Sequence, residues 1–385
     1  MAATVKVRIA DLARGGAGVA RDDSGRVIFV PFTAPGDLVE VEIVEEKKNY
    51  AQGRLVSILE SSPVRVEPRC PVFARCGGCQ WQHLPYELQW KTKAAGAKHA
   101  LTRTQVEVSA SSGAWEEFPA ERIWEYRNRV QARGFGEELG FFEAGSNRRV
   151  AVDFCPIARP EINARWALIR KQGASRPNPY KVEIEVLEEG QVREVWNAKH
   201  AALGFRQIHD EQNEKLKAWV ASAITPGRPL YDLFGGSGNL SRGLIGKASV
   251  IHCVDFGAPT GKPPSAPAPA DKAVPLASSY FYHRSDVSRW ISRQALPTPL
   301  MLSSAILDPP REGLGSEFAS IAEGLNRLGV VELVAVGCDP DSWARDLSRF
   351  QRWGWKVERA AVFDLFPQTP HVESVALLRR PSVNR

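Results

Sequence analysis

Residues 38–46, LVEVEIVEE, alternate apolar and acidic positions: Val39, Val41 and Ile43 fall on one face, Glu40 and Glu42 on the other. That is the period of a half-buried strand. The same texture runs through VKVRIA, GGAGVARDDSGRVIFVP and YAQGRLVSIL, with Gly15, Gly16, Gly18 and Gly25 supplying tight turns. It predicts a small, roughly five-stranded, OB-like β-barrel that ends near the linker SSPVRVEP, where Pro63 and Pro68 stand. A helical stretch follows in YELQWKTKAAGAKHALTR, and then a strand-rich middle from about residue 123 to residue 200. From GFRQIHDEQNEKLKAWVASAI onward, helical periods alternate with short apolar runs, LYDLF, SVIHCVDF, SSAILD, VVELVAVG and SVALL. Such alternation predicts an α/β domain built on a mostly parallel sheet. The expected division is residues 1–62 for the barrel, 63–203 for a central α+β domain and 204–385 for the α/β domain. The Pro- and Ala-rich run at 257–275 reads as an exposed loop insertion.

Composition narrows the picture modestly. The formal charge is +6 with a pI near 9.0, and Arg122, Arg127, Arg129, Arg133, Arg148 and Arg149 crowd one segment. This balance suits a polyanionic partner, although a solvated basic surface is the commoner explanation of so modest an excess. The start, MAATVKVRIADLARGG, has no apolar block of signal-peptide length, and no run of about 18 apolar residues occurs anywhere. A cytoplasmic protein without a membrane segment is expected.

Three of six cysteines, Cys70, Cys76 and Cys79, fall within ten positions as C-x5-C-x2-C, and Cys155 lies further on in DFCPIARP. Four thiolates can hold an iron–sulfur cluster or a tetrahedral zinc. Structural zinc usually takes two C-x2-C knuckles. Here there is one, with Gly77 and Gly78 inside it, and the distant cysteine precedes Pro156, so the spacing favours a cluster. Disulfides do not suit a chain with no secretion signal.

In LYDLFGGSGNLSRGL an apolar strand ends at Asp232 and runs into a glycine turn at Gly235, Gly236 and Gly238. Such a turn lets a ligand approach the backbone at a strand's carboxyl end, and Asp255, ending the next strand, suits ribose hydroxyls. With no G-K-[ST] after the turn, S-adenosylmethionine or a dinucleotide is favoured over a triphosphate. ILDPPREGL then ends a strand at Asp308, with Pro309 and Pro310 stiffening the turn. VVELVAVGCDP ends another at Cys338, ahead of a helix N-terminus that should favour its thiolate. Cys253, inside its strand, reads as a small buried hydrophobe. Glu373 stands just before the last apolar strand.

Together, C-x5-C-G-G-C with a distant Cys, D-L-F-x-G-x-G-N, D-P-P-R-x-G, the late strand-end Cys and F-P-Q-T-x-H-V-E resemble the RNA m5U methyltransferase family, in its bacterial 23S ribosomal RNA branch (the RlmD type). The resemblance runs nearly end to end. It implies an N-terminal TRAM domain, a central domain carrying a 4Fe-4S cluster on Cys70, Cys76, Cys79 and Cys155, and a Rossmann-like S-adenosylmethionine-dependent methyltransferase domain. It implies cofactor contacts from Gln207, Phe234, Asn239, Asp255, Asp286 and Asp308, with Cys338 as nucleophile and Glu373 as base. The implied partner is RNA and not DNA or a membrane, with 23S ribosomal RNA foremost, and the implied state is a monomer. Trp124 and Tyr126, interleaved with Arg127, Arg129 and Arg133, read as an RNA-facing strand or as a core aromatic pair.

Three positions depart from the family pattern: Gly235 stands where cysteine is common, GCDP replaces S-C-N-P, and His209 replaces asparagine. Asp339 next to the nucleophile should oppose thiolate formation. The 257–275 insertion leaves Ser285 as an alternative to Asp286. The rival readings are the same chemistry on tRNA, a catalytically silent RNA-binding or assembly factor, and a zinc-stapled enzyme. Retention of both Cys338 and Glu373 argues against the silent factor.

Overall fold

The computed structural model describes residues 4–109, 113–187, 189–198, 206–260, 279–295 and 301–380. Of the expected insertion at 257–275, all but residues 257–260 lies outside them. Among the described residues the chain forms three sheets.

The first holds β1 (Thr4–Arg8), β2 (Asp11–Leu12), β3 (Gly18–Arg21), β4 (Val27–Val30), β5 (Leu38–Glu46) and β6 (Tyr50–Glu60), in the order β1-β5-β6-β4-β3-β2. It has six strands where the turn signals suggested about five, because Asp11–Leu12 adds a two-residue edge to β3. The alternation in β5 is realised: Val39 and Val41 are fully buried with Ile28, Val30 and Ala51.

Next come α1 (Tyr86–Arg103) and β7 (Trp115–Phe118), then β8 (Arg129–Phe135), β9 (Glu138–Phe142), β10 (Arg149–Ala151), α2 (Pro160–Asn163), α3 (Trp166–Ala174), β11 (Tyr180–Val186) and β12 (Val192–Trp196). Strands β10-β9-β8-β11-β12 make an antiparallel sheet whose inner face packs on α2 and α3 through Ile162, Trp166 and Ile169.

The third layer adds α4 (Asp210–Ala223), β13 (Leu230–Leu233), β14 (Val250–Asp255), β15 (Ser279–Arg284), α5 (Val287–Ser292), β16 (Ser303–Leu307), α6 (Phe318–Arg327), β17 (Val330–Gly337), α7 (Pro340–Arg352), β18 (Lys356–Phe363) and β19 (Glu373–Arg379). Its order is β15-β14-β13-β16-β17-β19-β18-β7, parallel from β15 to β17, with β19 running antiparallel between β17 and β18. The parallel strands are apolar almost throughout because helices cover both faces. The chain reverses direction across the sheet between β13 and β16, and ligands of such sheets bind at the carboxyl ends there.

Residues 86–118, grouped by the sequence with the central domain, join this third layer. Helix α1 packs on α7, and β7 pairs with β18 from Trp115 to Phe118. An unpaired edge at β18 would expose a row of backbone donors and acceptors, and β7 closes it.

Candidate active site

The register of two strands does most to build the site. β17 and β19 pair antiparallel up to Gly337↔Ser374, so Cys338 and Glu373, 35 positions apart in sequence, lie across from one another one rung further on. Asp308 follows β16 on the other side of β17 and faces the same region. Cys338 lines a cleft of about 900 Å³ bounded by the barrel loop at Arg14 and Gly15, by α1 through Lys93 and His99, and by His371. Arg14 of the barrel and Arg103 of α1 both pair with Asp341 at the start of α7, which ties the cleft walls together.

Electrostatics run against the sequence expectation for Cys338. Its thiol is pushed up to about 12 by burial first, and then by the Glu373 and Asp308 carboxyls, with Arg311 pulling the other way. The helix N-terminus does not rescue it, because Asp339 caps α7, its carboxylate accepting from the amides of Asp341 (3.0 Å) and Ser342 (3.1 Å). Asp339 also lies 3.6 Å from Arg311. Its charge is thus engaged by the helix and Arg311, and the carboxyls that weigh on the thiol are Glu373 and Asp308. Glu373 is buried and held well above the usual carboxylate range by burial and by Asp308.

The cofactor candidates lie along the carboxyl edge of the parallel strands. Phe234 follows β13 in the left-handed region at φ 63°, at the entry to the glycine turn. Asn239 exchanges two 2.9 Å hydrogen bonds with Asn213 of α4, which anchors the turn. Gln207 is buried before α4, its carbonyl accepting from Asn128 Nδ2 at 3.0 Å. Asp255 ends β14 and accepts from the Gly257 amide at 2.6 Å. Asp286 follows β15 and caps α5, accepting from the Arg289 amide at 2.8 Å. Ser285 Oγ turns to the Asp286 carbonyl. Asp308 is raised to about 7 by burial, with Asp232 and Asp255 adding to the shift. Asp232, absent from the sequence-derived site, is fully buried, raised to about 6 by burial, and hydrogen-bonded by Ser241 Oγ. Gly235 fits this packing: a Cβ there would lie 2.5 Å from the Asp232 carboxyl and 2.7 Å from Cys253 Sγ.

The structure brings Cys70, Cys76, Cys79 and Cys155 to the walls of one cavity of about 180 Å³. Burial raises all four thiols, Cys79 to about 12. Among the described residues no three Cys, His or carboxylate groups converge closely enough to hold a single ion.

The RNA-facing strand is corrected in part. Tyr126 is buried, stacks on His209 with ring centroids 4.8 Å apart and donates from its hydroxyl to the Pro367 carbonyl, while Arg129 pairs with Glu183. These residues are core and scaffold, as the chain folds back on the helix-entry segment at His209. His209 thus has a packing role, which the sequence did not reveal.

Residues 2–56 match the family model described as TRAM domain, and residues 298–381 the one described as tRNA (Uracil-5-)-methyltransferase. A curated relative, an uncharacterized RNA methyltransferase of Bdellovibrio bacteriovorus, is 33% identical over 97% of this chain and 95% of its own. The chain belongs to the RNA uracil-5 methyltransferase family. A 23S rRNA (uracil(1939)-C(5))-methyltransferase, RlmD, of Erwinia tasmaniensis is 26% identical over 98% of this chain and 96% of its own. The crystal structure of Pyrococcus abyssi tRNA (uracil-54, C5)-methyltransferase with S-adenosyl-L-homocysteine shares the fold, with a TM-score of 0.69 at 21% identity over 97% of this chain and 99% of that one. The enzyme is thus an S-adenosylmethionine-dependent RNA methyltransferase with an N-terminal TRAM domain. No helix among its described residues is long and apolar enough to cross a membrane.

Proposed function

We propose that the enzyme, acting as a monomer, methylates C5 of a uridine in 23S ribosomal RNA through a covalent adduct between Cys338 and C6 of the base. The observation that carries this reading is the antiparallel pairing of β17 with β19, which brings the buried Glu373 beside Cys338 where Cys338 lines a cleft between the TRAM barrel and the methyltransferase sheet. C5 of uracil is too weak a nucleophile to take a methyl group directly. The Cys338 thiolate adds to C6, and the displaced π electrons make C5 nucleophilic toward the sulfonium methyl, which S-adenosylmethionine supplies as it becomes the neutral homocysteine thioether. Glu373 then accepts the C5 proton, the C5–C6 double bond re-forms and the thiolate leaves. Both faces of the base are engaged, so the uridine must leave its stack.

Gln207, Phe234, Asn239, Asp255, Asp286 and Asp308 are the residues we assign to cofactor binding. Asp308 makes that assignment testable through pH. Its raised carboxyl is largely neutral below about 7 and ionised above, and only the ionised form attracts a sulfonium. Affinity for S-adenosylmethionine is expected to fall about tenfold between about pH 8 and about pH 6. Affinity for S-adenosylhomocysteine, which lacks the sulfonium charge, should change much less. Calorimetric titration of both ligands at the two pH values measures the difference.

Cys70, Cys76, Cys79 and Cys155 all line one cavity, which fits a four-thiolate site, and the C-x5-C-x2-C spacing with a distant Cys-Pro favours an iron–sulfur cluster there over zinc. Bound there, the cluster would tie the Cys70–Cys79 loop to Cys155 and brace the central sheet. The 23S target is supported by relatives that carry that name and match this chain over most of its length. The test is methyl transfer to unmodified 23S rRNA and to unmodified tRNA in parallel, using anaerobically purified enzyme whose iron and sulfide have been counted. 5-Methyluridine on 23S rRNA alone is the expected result. Methylation of tRNA alone would replace the target, and a colourless, iron-free active protein would remove the cluster.

A further inference from the structure

A buried junction of hydrogen bonds lies just ahead of Glu373. Gln368, which is 2% exposed and left-handed at φ 70°, offers its carbonyl to two successive amides, Gln80 N at 3.1 Å and Trp81 N at 3.0 Å. These two residues directly follow Cys79 on the wall of the cysteine cavity. Gln89 of α1, 1% exposed, meets Gln368 with both ends of its amide. Gln368 N donates to Gln89 Oε1 at 3.0 Å, and Gln89 Nε2 donates to Gln368 Oε1 at 3.0 Å, sharing its hydrogens with the carbonyls of Trp81 (3.0 Å) and Leu84 (2.9 Å). The Trp81 indole N–H donates in turn to the carbonyl of Gly16 in the barrel loop at 2.9 Å. Gly16 has φ 92°, and a Cβ there would lie 3.0 Å from Trp81 Nε1 and 3.1 Å from Pro370. The barrel loop, the cysteine segment and α1 therefore all close on residues 368–370.

Cys338 is held differently. It sits between the end of β17 and the capped start of α7, whereas the hydrogen bonds of Gln89 go to Trp81, Leu84 and Gln368. Disturbing Gln89 should then displace Glu373 without displacing the nucleophile. An apolar side chain at 89 would leave the Gln368 amide and side-chain oxygen unpaired in a dry interior, and the loop would shift to rehydrate them.

We propose that Gln89 is a positioning residue for the proton-removal step, fixing through Gln368 the loop that delivers Glu373 and linking that loop to the cysteine segment and the TRAM barrel. The proposal rests on the reading of Glu373 as the base. In the reaction, Gln89 touches neither substrate nor cofactor, and its effect reaches the C5 proton only through the place at which β19 begins.

Two variants test it, Gln89→Met and Gln368→Gly. The glycine tolerates φ 70° and keeps the carbonyl acceptor for Gln80 and Trp81, so it removes only the side-chain bonds, from Gln89 Nε2 to Gln368 Oε1 and from Gln368 Nε2 to the Ile123 carbonyl at 3.4 Å. Single-turnover reactions on unmodified 23S rRNA carrying 5-tritiated uridine report two steps separately: formation of the denaturant-stable protein–RNA adduct, and release of tritium from C5. The expected result for Gln89→Met is adduct formation within about twofold of the parent but tritium release slowed by about 10²-fold, the scale of a misplaced group. Adduct then accumulates, and Gln368→Gly moves the same way. Parallel loss of both rates, the mark of general loosening, would overturn the proposal, as would unchanged tritium release. Should Gln89→Met fail to fold, Gln368→Gly decides alone. Glu373→Gln runs alongside: if it builds up no adduct, the base reading falls and takes this inference with it. If it does build up adduct while both test variants do not, the positioning role alone is rejected.

Discussion

Cys338→Ser is expected to reduce methyl transfer to background, a loss of about 10⁶-fold, while leaving S-adenosylmethionine binding within a few-fold of the parent. A serine hydroxyl at this position, buried and facing two carboxyls, has no means of ionising, and without addition at C6 the C5 carbon stays inert. Glu373→Gln should lose turnover as completely for the opposite reason. With the carboxyl gone, Cys338 can still add to C6 but nothing takes the C5 proton, so the adduct forms and then waits for a base that is absent. The two proteins separate on a denaturing gel after incubation with RNA and S-adenosylmethionine: Glu373→Gln carries a shifted protein–RNA band and Cys338→Ser does not. A shifted band in Cys338→Ser, or methyl transfer surviving there, would show that another residue attacks the base. The raised thiol also implies that the ligand-free enzyme keeps Cys338 protonated; a cationic methyl donor bound near Asp308, as proposed above, would lower that barrier.

Asp364→Ala is expected to lower the melting temperature by about 10 °C, corresponding to about 3–5 kcal/mol. Lys93 and Asp364 form an ion pair at 2.8 Å with neither side chain reaching solvent, and Lys93 Nζ also donates to the Phe366 carbonyl at 3.0 Å. Removing the carboxylate leaves an ammonium in the interior with one neutral acceptor, and the penalty is that of an uncompensated buried charge. The double variant Lys93→Met, Asp364→Leu removes both charges and should recover most of the lost stability. Scanning calorimetry of the three proteins measures both outcomes. A fall of less than about 2 °C in Asp364→Ala would mean that the pair is hydrated in solution.

The Lys93–Asp364 pair lay outside the reach of the sequence. A lysine in YELQWKTKAAG looks like any solvated helix charge, and nothing local marks it as the partner of an aspartate 271 positions away. His209 was visible only as a departure from the family pattern, and its stacking on Tyr126 explains why an aromatic ring suits that place. Asp339 looked like a charge that opposes the nucleophile, and the structure makes it a helix cap. Spacing could name Asp339 as a neighbour of Cys338, but only the turn into α7 decides where its carboxylate points.

Local chemistry was legible from residue order alone. Alternation in LVEVEIVEE marks a strand with one wet face, the glycine turn after LYDLF marks the carboxyl end of a parallel strand, and C-x5-C-x2-C marks cysteines that come to line one cavity. Each of these signals resides in a window of a few residues, where backbone preference and side-chain period act directly. What the tertiary structure decided is which distant windows meet. The last pairing of β17 with β19 sets Cys338 against Glu373, the passage of α1 into the methyltransferase layer supplies one wall of the cleft while β7 closes the sheet edge, and the junction at Gln368 joins three parts of the chain. These contacts depend on register and burial across tens to hundreds of residues, and no local preference encodes them, because their free energy is gained only when the whole core closes.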